Sequence, residues 1–580
     1  MKNREIAKIF YEMADHLEIE SVPFKPYAYR KAALALENLK EDVQQYYLKK
    51  GTTGLEKIPG IGESISQKIE EYLKTGKIKA YQQLKKKMPV NMDELRKVEG
   101  LGPKTIKTLH KKLKIKNLKD LEKAAKNHKI ASLFGFRAKT EENILQGIAF
   151  LKKNKGRSLL VDVLPIVMEM EKKFKRIKDV EKISVAGSVR RKKETIRDID
   201  FLITSKNPKK VMDYFCSFPE VVKIWAQGST KSSIRIKQGL DIDLRIVSKK
   251  SYGSALQYLT GSKEHNVAVR RVAISKKLKL NEYGLFRGKR RIAGETEEGV
   301  YKALGMKWIL PEIRENRGEI QASIQEFQDK PNGLPKLIEL KDIKGDLHSH
   351  SKWSDGNNTI LEMANGAIKK GYQYLGITDH TKFLRISHGL NEKELLRQKK
   401  EIIKLNEKFK KENIKFRVLQ GAETNILNNG SLDINDNALK KLDFAMAGVH
   451  SSFRMKRAKM TERIIRALKN PYVKILVHPL GRIIQKRDEI EMDFDKILRA
   501  AKQFNVILEI NAYPERLDLN DINIRRARES GVKMAINSDS HCIDHLEYME
   551  FGVYQARRGW AEKKDIINTQ SLTKLLNFFK

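Results

Sequence analysis

The stretch Gly187-Ser188-Val189-Arg190-Arg191, followed by Asp198-Ile199-Asp200, decides how this chain is read. Side chains alternate across a strand, so Asp198 and Asp200 share one face. Two like charges held that close repel and call for a cation between them. Oxygen ligands of this kind suit Mg²⁺, which keeps waters and binds through a few carboxylates plus substrate phosphates. Upstream, the apolar run Ile183-Ser184-Val185-Ala186 predicts a strand that turns at Gly187. A glycine there lets backbone N–H groups approach a phosphate, and Ser188 and Arg191 add donors. A third acid, Asp243, arrives on another expected strand, Leu240-Asp241-Ile242-Asp243-Leu244-Arg245. Three acids around two metal ions suit in-line phosphoryl or nucleotidyl transfer. Alone, Asp-x-Asp is more often a solvated pair on an edge strand. The Gly-Ser loop and the third acid displace that reading.

This block resembles the nucleotidyltransferase palm of family X DNA polymerases, the group containing polymerase beta. The segment Tyr258-Leu259-Thr260-Gly261-Ser262-Lys263-Glu264-His265-Asn266, then Arg270, extends the resemblance. In the family this stretch holds the incoming nucleotide. The resemblance puts Tyr258 and Gly261 at the sugar, Asn266 at the base edge and Arg270 near the template. With Gly187, Ser188 and Arg191 it implies a dNTP site. Two positions depart from the pattern. Leu259 replaces the phenylalanine of polymerase beta, which removes the aromatic pair that discriminates sugars, and Lys263 stands where that protein has an acid.

A chain of 580 residues is too long for one core and suggests three or four domains. Its formal net charge is +43, and the excess runs through every section instead of collecting in a tail. Phosphate binding by counterion release is the natural use of that balance, although a lysine-rich proteome would supply part of it. Cys216 and Cys542 suggest neither a metal pair nor a disulfide framework, consistent with a reducing cytosol. The start, Met1-Lys2-Asn3-Arg4-Glu5, has no apolar signal core, and no run approaches the ~20 apolar residues of a membrane span. The expectation is a soluble, cytoplasmic, nucleoid-associated monomer with no membrane partner.

Residues 1–150 read as helices joined by short turns, and two turns share a pattern. Ile58-Pro59-Gly60-Ile61-Gly62 precedes Ile65 and Ile69 at helical spacing. Val98-Glu99-Gly100-Leu101-Gly102-Pro103 precedes Ile106 and Leu109 in the same way. Gly60, Gly62, Gly100 and Gly102 permit tight hairpins, Pro103 fits a first helical turn, and each new helix offers N–H groups to a phosphate. These are helix-hairpin-helix elements, a sequence-independent grip on the DNA backbone. One copy is an ordinary tight turn; two, followed by Lys68, Lys104 and Lys107, favour DNA binding. Leu133-Phe134-Gly135-Phe136-Arg137 has arginine in place of the second glycine and reads as packing. The resemblance to polymerase beta continues here. Lys25, Tyr29 and Arg30 match residues lining its 5′-phosphate pocket, and Lys68 falls on its Schiff-base lysine, which implies lyase chemistry. Glu56 and Ser64 replace two pocket lysines, so the pocket is partly altered.

The cluster Lys330-Pro331-Asn332-Gly333-Leu334-Pro335 marks a loop, and a boundary falls between about 318 and 341. Beyond it, seven short apolar runs end in metal-binding residue types. The ends are His348 and His350, Asp379-His380, Glu423, His450, His478, Glu509-Ile510-Asn511 and Asp539-Ser540-His541. Helical stretches such as Glu392 to Lys411 and Phe494 to Phe504 lie between them. Functional residues at strand C-terminal ends are how a β/α barrel builds a site, and seven strands make a distorted barrel. With Asp355, the ends supply nine ligands: His348, His350, Asp355, His380, Glu423, His450, His478, Asp539 and His541. Nitrogen and oxygen ligands without thiolates favour Mn²⁺, Zn²⁺ or Fe²⁺ over Mg²⁺. The region resembles the polymerase and histidinol phosphatase (PHP) superfamily in all its motifs. His388 and His545, near the site but outside those motifs, stay unassigned, and an ordinary surface position is open to both.

The expected fold is multidomain. Helix-hairpin-helix domains occupy 1–82 and 83–152, an α/β nucleotidyltransferase palm 153–250 and a nucleotide-selecting thumb subdomain 251–318. A linker over 319–341 leads to a distorted (β/α)7 PHP barrel at 342–580. The resemblance implies a family X DNA polymerase that fills gapped or nicked DNA with dNTPs, using Mg²⁺ in the palm. It also implies a 3′–5′ exonuclease, abasic-site endonuclease or 3′-phosphatase in the barrel, run by two or three Mn²⁺ or Zn²⁺ ions, in base-excision repair. Two other classes stand beside it. A non-catalytic DNA-end scaffold has no need of Asp198, Asp200 and Asp243, and a small-molecule phosphatase has no need of the hairpin elements.

Overall fold

The computed structural model describes residues 2–579 except 21, 38, 40, 59, 99, 100, 154, 155, 325–332, 385 and 386. Pro59 and Gly100 of the two hairpins, and residues 325–332 of the expected linker, lie outside the described residues. The chain divides into one unit of residues 1–155 with 483–488 and another of 156–482 with 489–580.

The first unit is helical. Its first hairpin turns through Gly60, whose φ of +95° only glycine adopts easily, and Gly62 then caps α1 (Glu63–Thr75). Gly102 caps α2 (Pro103–Leu113), with Pro103 in the first turn. Ile65 and Ile69 are buried with Phe10, Leu36 and Leu55, whereas Ile106 and Leu109 join a second cluster with Val98 and Leu121. Each hairpin thus opens a helix that one apolar stripe anchors. The expectation of packing at 133–137 holds only in part. Leu133 and Phe136 pack on the second cluster, but Phe134 is fully exposed, because the turn at Gly135 directs it outward.

In the second unit, β1 (Val180–Val185), β2 (Asp198–Ser205), β3 (Val221–Gln227), β4 (Lys231–Ile236) and β5 (Asp241–Ile246) form one sheet in the order β1-β2-β5-β4-β3. Only β2 and β5 are parallel, in a register that sets Asp198 beside Asp241 and Asp200 beside Asp243. Ile199, Phe201, Ile242 and Leu244 alternate with these acids and are buried. Strand β3 is an edge. Its register shifts twice against β4, it exposes Val222, Ile224 and Trp225, and the Lys223 ammonium lies 3.9 Å over the Trp225 ring. Helices α3 (Tyr252–Thr260) and α4 (Lys263–Ser275) follow.

The carboxy-terminal part contains β6 (Gly345–Ser349), β7 (Tyr374–Ile377), β8 (Arg417–Gln420), β9 (Glu423–Asn425), β10 (Ala445–Gly448), β11 (Val473–Leu476), β12 (Ile507–Asn511) and β13 (Met534–Asn537). They form parallel sheets β6-β7-β8 and β9-β10-β11-β12-β13, joined by bridges Ser349–Ser540 and His380–Glu423. The seven expected strand positions are present, the third interrupted at Gly421-Ala422. A Cβ on Gly421 would meet Thr378 Cγ2 at 2.6 Å and Phe444 Cζ at 2.9 Å, so any side chain there would force those neighbours to move. The expected helices form over Glu392–Lys411 and Phe494–Gln503. Near the end come α5 (Asp521–Glu529) and α6 (Met549–Arg558). Val418, Leu476, Leu508 and Ile536 lie in the barrel core.

Candidate active sites

Two chemically distinct centres occupy the second unit. In the palm, β1 ends at Val185, and the amide of Ala186 donates to the Asp200 carbonyl at 2.8 Å. The chain then turns at Gly187 with φ +58°, and a Cβ there would lie 2.0 Å from Asp200 Oδ2. The Gly-Ser loop and the second acid are therefore in direct contact. Asp200, Asp243, Tyr258 and Leu259 line one cleft with Lys231 and Arg245. Burial, then Asp198 and Asp243, push the Asp200 carboxyl up to about 7. A divalent ion relieves such repulsion, so these residues fit the Mg²⁺ role. Asp241 is excluded from the set, because Arg235 grips it with two bonds of 2.7 and 2.8 Å.

The nucleotide-binding residues expected from sequence divide. Tyr258 is exposed toward the cleft, and Gly261 has φ +69°. Ser188 is half-buried in its loop and Arg270 is exposed, its Nε 3.3 Å from the Asn266 carbonyl. The Asn266 amide is engaged at both ends, donating to the Tyr258 carbonyl at 2.7 Å and accepting from Gln257 at 2.8 Å. Arg191 is mostly buried; it donates to the Thr260 carbonyl and, over 3.2 Å, to Glu315. Its guanidinium lies against Gly261, whose Cβ would stand 3.1 Å from Nη1.

In the first unit, Lys25, Tyr29, Gly60, Gly62, Ser64 and Lys68 line a groove. Lys68 Nζ donates to Ser64 O at 2.8 Å and Ser64 Oγ at 2.9 Å. Burial pulls its pKa down, Glu71 opposes that, and Lys25 adds to it. Arg30 does not join the groove lining: it pairs with Asp15 at 3.0 Å and with Glu18. Glu56 accepts from Ser66 at 3.0 Å, Lys104 is exposed, and Lys107 reaches the Ile19 carbonyl at 2.8 Å.

The barrel brings all nine expected ligands together. His350, Asp355, His380 and His541 form one cluster, His348, His350 and Asp539 a second, and His380, Glu423 and His450 a third, each with its ligand atoms within 4.8 Å. His478 Nε2 lies 2.9 Å from Glu423. Several inward atoms, among them His348 Nε2, both His350 nitrogens and Glu423 Oε2, are buried without hydrogen-bond partners, as metal ligands would be. Shared His350 and His380 make the donor set fit two or three ions. The electrostatics agree. Burial disfavours charge on Glu423, yet His380, His450 and His348 hold it well below the carboxylate range. Burial, His541 and His380 push His350 down to about 4. His478 and Asp539 have φ of +29° and +54°, a region non-glycine residues rarely adopt, so two of the expected ligands sit on strained backbone.

Supporting residues were less legible. Glu509 accepts from His348 Nδ1 at 2.7 Å, which fixes that ring, and from the His478 backbone amide at 2.7 Å, which holds the chain at His478. Its only sequence signal is its place at the end of an apolar run. Asp379 accepts from the Ser351 amide at 2.7 Å, Ser354 at 2.5 Å and Gln398 at 2.7 Å, which braces the loop that carries Asp355. His388 is exposed. His545 is not a surface residue: it is buried, stacked 4.7 Å from Tyr548, with Nδ1 3.3 Å from the His541 amide. The short helical turn after His541 folds it inward.

Family models match four regions: a helix-hairpin-helix domain at 1–78, a SAM-like helix-hairpin-helix tandem at 92–149, a DNA polymerase beta thumb at 255–315 and a PHP domain at 346–513. The chain is 36% identical over 588 residues, covering 100% of both chains, to the DNA polymerase/3′-5′ exonuclease PolX of Bacillus subtilis (strain 168). A probable phosphatase of Thermoanaerobacter sp. (strain X514) is 33% identical over 213 residues, 34% of this chain and 78% of that one. A probable phosphatase of Acetivibrio thermocellus is 30% identical over 205 residues, with the same shares.

Proposed function

Because the chain belongs to the family X DNA polymerases that carry a carboxy-terminal PHP domain, we propose that it fills short gaps in DNA and degrades DNA from 3′ ends. The observation that carries this reading is the Asp200–Asp243 register against the Gly187 turn, in the same chain as a nine-ligand barrel cluster. Divalent ions bound at either site supply Lewis-acid activation of phosphate oxygens and lower the pKa of water or hydroxyl.

In the palm, the Gly187-Ser188 amides and the Ser188 hydroxyl hold the triphosphate, and Tyr258 and Gly261 take the sugar. Asp243 stands nearest the primer 3′-hydroxyl and accepts its proton, and Asp198 and Asp200 complete the carboxylate set. In the barrel, Glu509 keeps the His348 proton on Nδ1, so that Nε2 faces the cluster. The likeness to probable phosphatases supports 3′-phosphatase action there; abasic-site endonuclease action, a repair setting and a cytoplasmic location belong to the same proposal. Among the described residues no helix is long and apolar enough to cross a membrane. The hairpins hold gapped or nicked DNA by its backbone. Lys68, with its lowered pKa, is the residue for a 5′-deoxyribose-phosphate lyase step.

A 5′-labelled primer on gapped DNA tests the reading. Extension is expected with Mg²⁺ and dNTPs, and shortening with Mn²⁺ alone. A primer unchanged under both conditions sinks it, and faster turnover of a phosphomonoester than of DNA would favour the phosphatase alternative.

A further inference from the structure

We propose that Arg558, on barrel helix α6, is a positioning residue for nucleotide binding in the palm, acting through Glu315 and Arg191. This deepens the polymerase reading and rests on it. Arg558 is 4% exposed and spends its donors on four acceptors. Nη1 reaches the Arg191 carbonyl at 2.9 Å, Glu315 at 3.2 Å and the Glu312 carbonyl at 3.4 Å, and Nη2 reaches Asp521 at 2.5 Å. Glu315 in turn accepts from Arg191 Nε at 3.2 Å and lies 3.8 Å from the Lys193 ammonium. Arg191 then donates to the Thr260 carbonyl and lies against Gly261. An unbroken chain of charge-assisted bonds therefore runs from the barrel to the Thr260 carbonyl, next in the chain to Gly261, the residue placed at the sugar.

A second barrel arginine holds the same palm loop. Arg482, almost fully buried, donates to Glu194 at 3.2 and 2.7 Å and to the Leu517 carbonyl. The loop that begins at Ser188 is thus fixed at Arg191 and at Glu194 by side chains of another domain. General interface adhesion would not require that one guanidinium bind both the backbone of Arg191 and the carboxylate that orients its side chain. Without Arg558, the Arg191 carbonyl loses a buried donor and Glu315 loses a buried cation. Arg191 is then free to follow Glu315, and Ser188 and Gly261 lose their common reference. The barrel is in this sense the back wall of the polymerase centre.

Calorimetric dNTP binding in Mg²⁺, gapped-DNA extension and Mn²⁺-dependent degradation, measured on full-length Arg558→Ala, Arg558→Lys and Glu315→Gln, test this. Arg558→Ala should weaken dNTP affinity about ten- to hundredfold and raise KM more than it lowers kcat, with degradation near wild type. Lysine, a point cation, should restore part of the loss, since it cannot bridge four acceptors. Glu315→Gln should act in the same direction and combine less than additively with Arg558→Ala. Unchanged dNTP affinity in Arg558→Ala overturns the proposal, as does a parallel fall of both activities, which is the mark of simple destabilisation. A wild-type protein that binds no dNTP overturns the proposal and the polymerase reading together. One that binds dNTP without extending a primer overturns that reading alone, and the affinities still judge Arg558.

Discussion

Replacing Asp200 by asparagine should stabilise the metal-free protein while it destroys nucleotidyl transfer. In the fold this carboxyl titrates at about 7 instead of 3.8, because it is buried and faces Asp198 and Asp243. A carboxyl whose folded pKa is raised above its unfolded value weakens the fold once it ionises. The penalty is absent below about pH 4, grows as pH rises through the window and is complete above about 7. The difference between the two values is worth ~4 kcal/mol, a ceiling when the neighbouring acids can relax. Asparagine has the shape of the neutral acid and carries no charge at any pH. In chelator, urea unfolding followed by tryptophan fluorescence should show the variant ahead of wild type by only ~1 kcal/mol at pH 4.5. At pH 8 the variant should be ahead by ~2–4 kcal/mol. Mg²⁺ should close that gap by stabilising the wild-type fold through mass action. A variant no more stable than wild type at pH 8 in chelator would refute the account of a strained acid cluster.

Asp243→Ala should abolish primer extension, with general-base loss alone taking ~10²–10⁴ from the rate, and leave Mn²⁺-dependent degradation intact; extension near the wild-type rate would remove Asp243 from the chemistry. His348→Ala or Asp539→Ala should eliminate degradation and lower bound Mn²⁺ by elemental analysis, with extension preserved; joint loss of both activities in a folded variant would contradict two separate centres. Borohydride in the presence of 5′-deoxyribose-phosphate DNA should trap a covalent adduct at Lys68; an adduct that persists in Lys68→Ala would leave this lysine as a phosphate contact.

The clustering of the palm acids and of the nine barrel residues was legible because their spacing encodes geometry. Alternation on a strand puts Asp198 and Asp200 on one face, and strand ends in a barrel converge whatever lies between them. Residues that act through a partner left no such trace. Nothing near Arg558 in the sequence indicates that it meets Glu315 and Arg191, because the pairing is made by tertiary packing of distant segments. Arg30 and Asn266 were matched by position, yet local partners, Asp15 for one and Gln257 with the Tyr258 carbonyl for the other, claim their side chains. His545 stayed unassigned for the opposite reason: a lone histidine in a polar segment gives no sign of the aromatic stack that buries it.

The outer strand of the palm sheet bears on how this protein behaves when crowded. Val221–Gln227 presents an open hydrogen-bonding edge and three exposed apolar side chains, the profile that lets one sheet recruit another. Two register shifts break the edge into pieces too short to template a ladder, and Lys223 places a positive charge on it. Straightening either bulge, or exchanging Lys223 for an apolar residue, would turn this strand into a seed for aggregation.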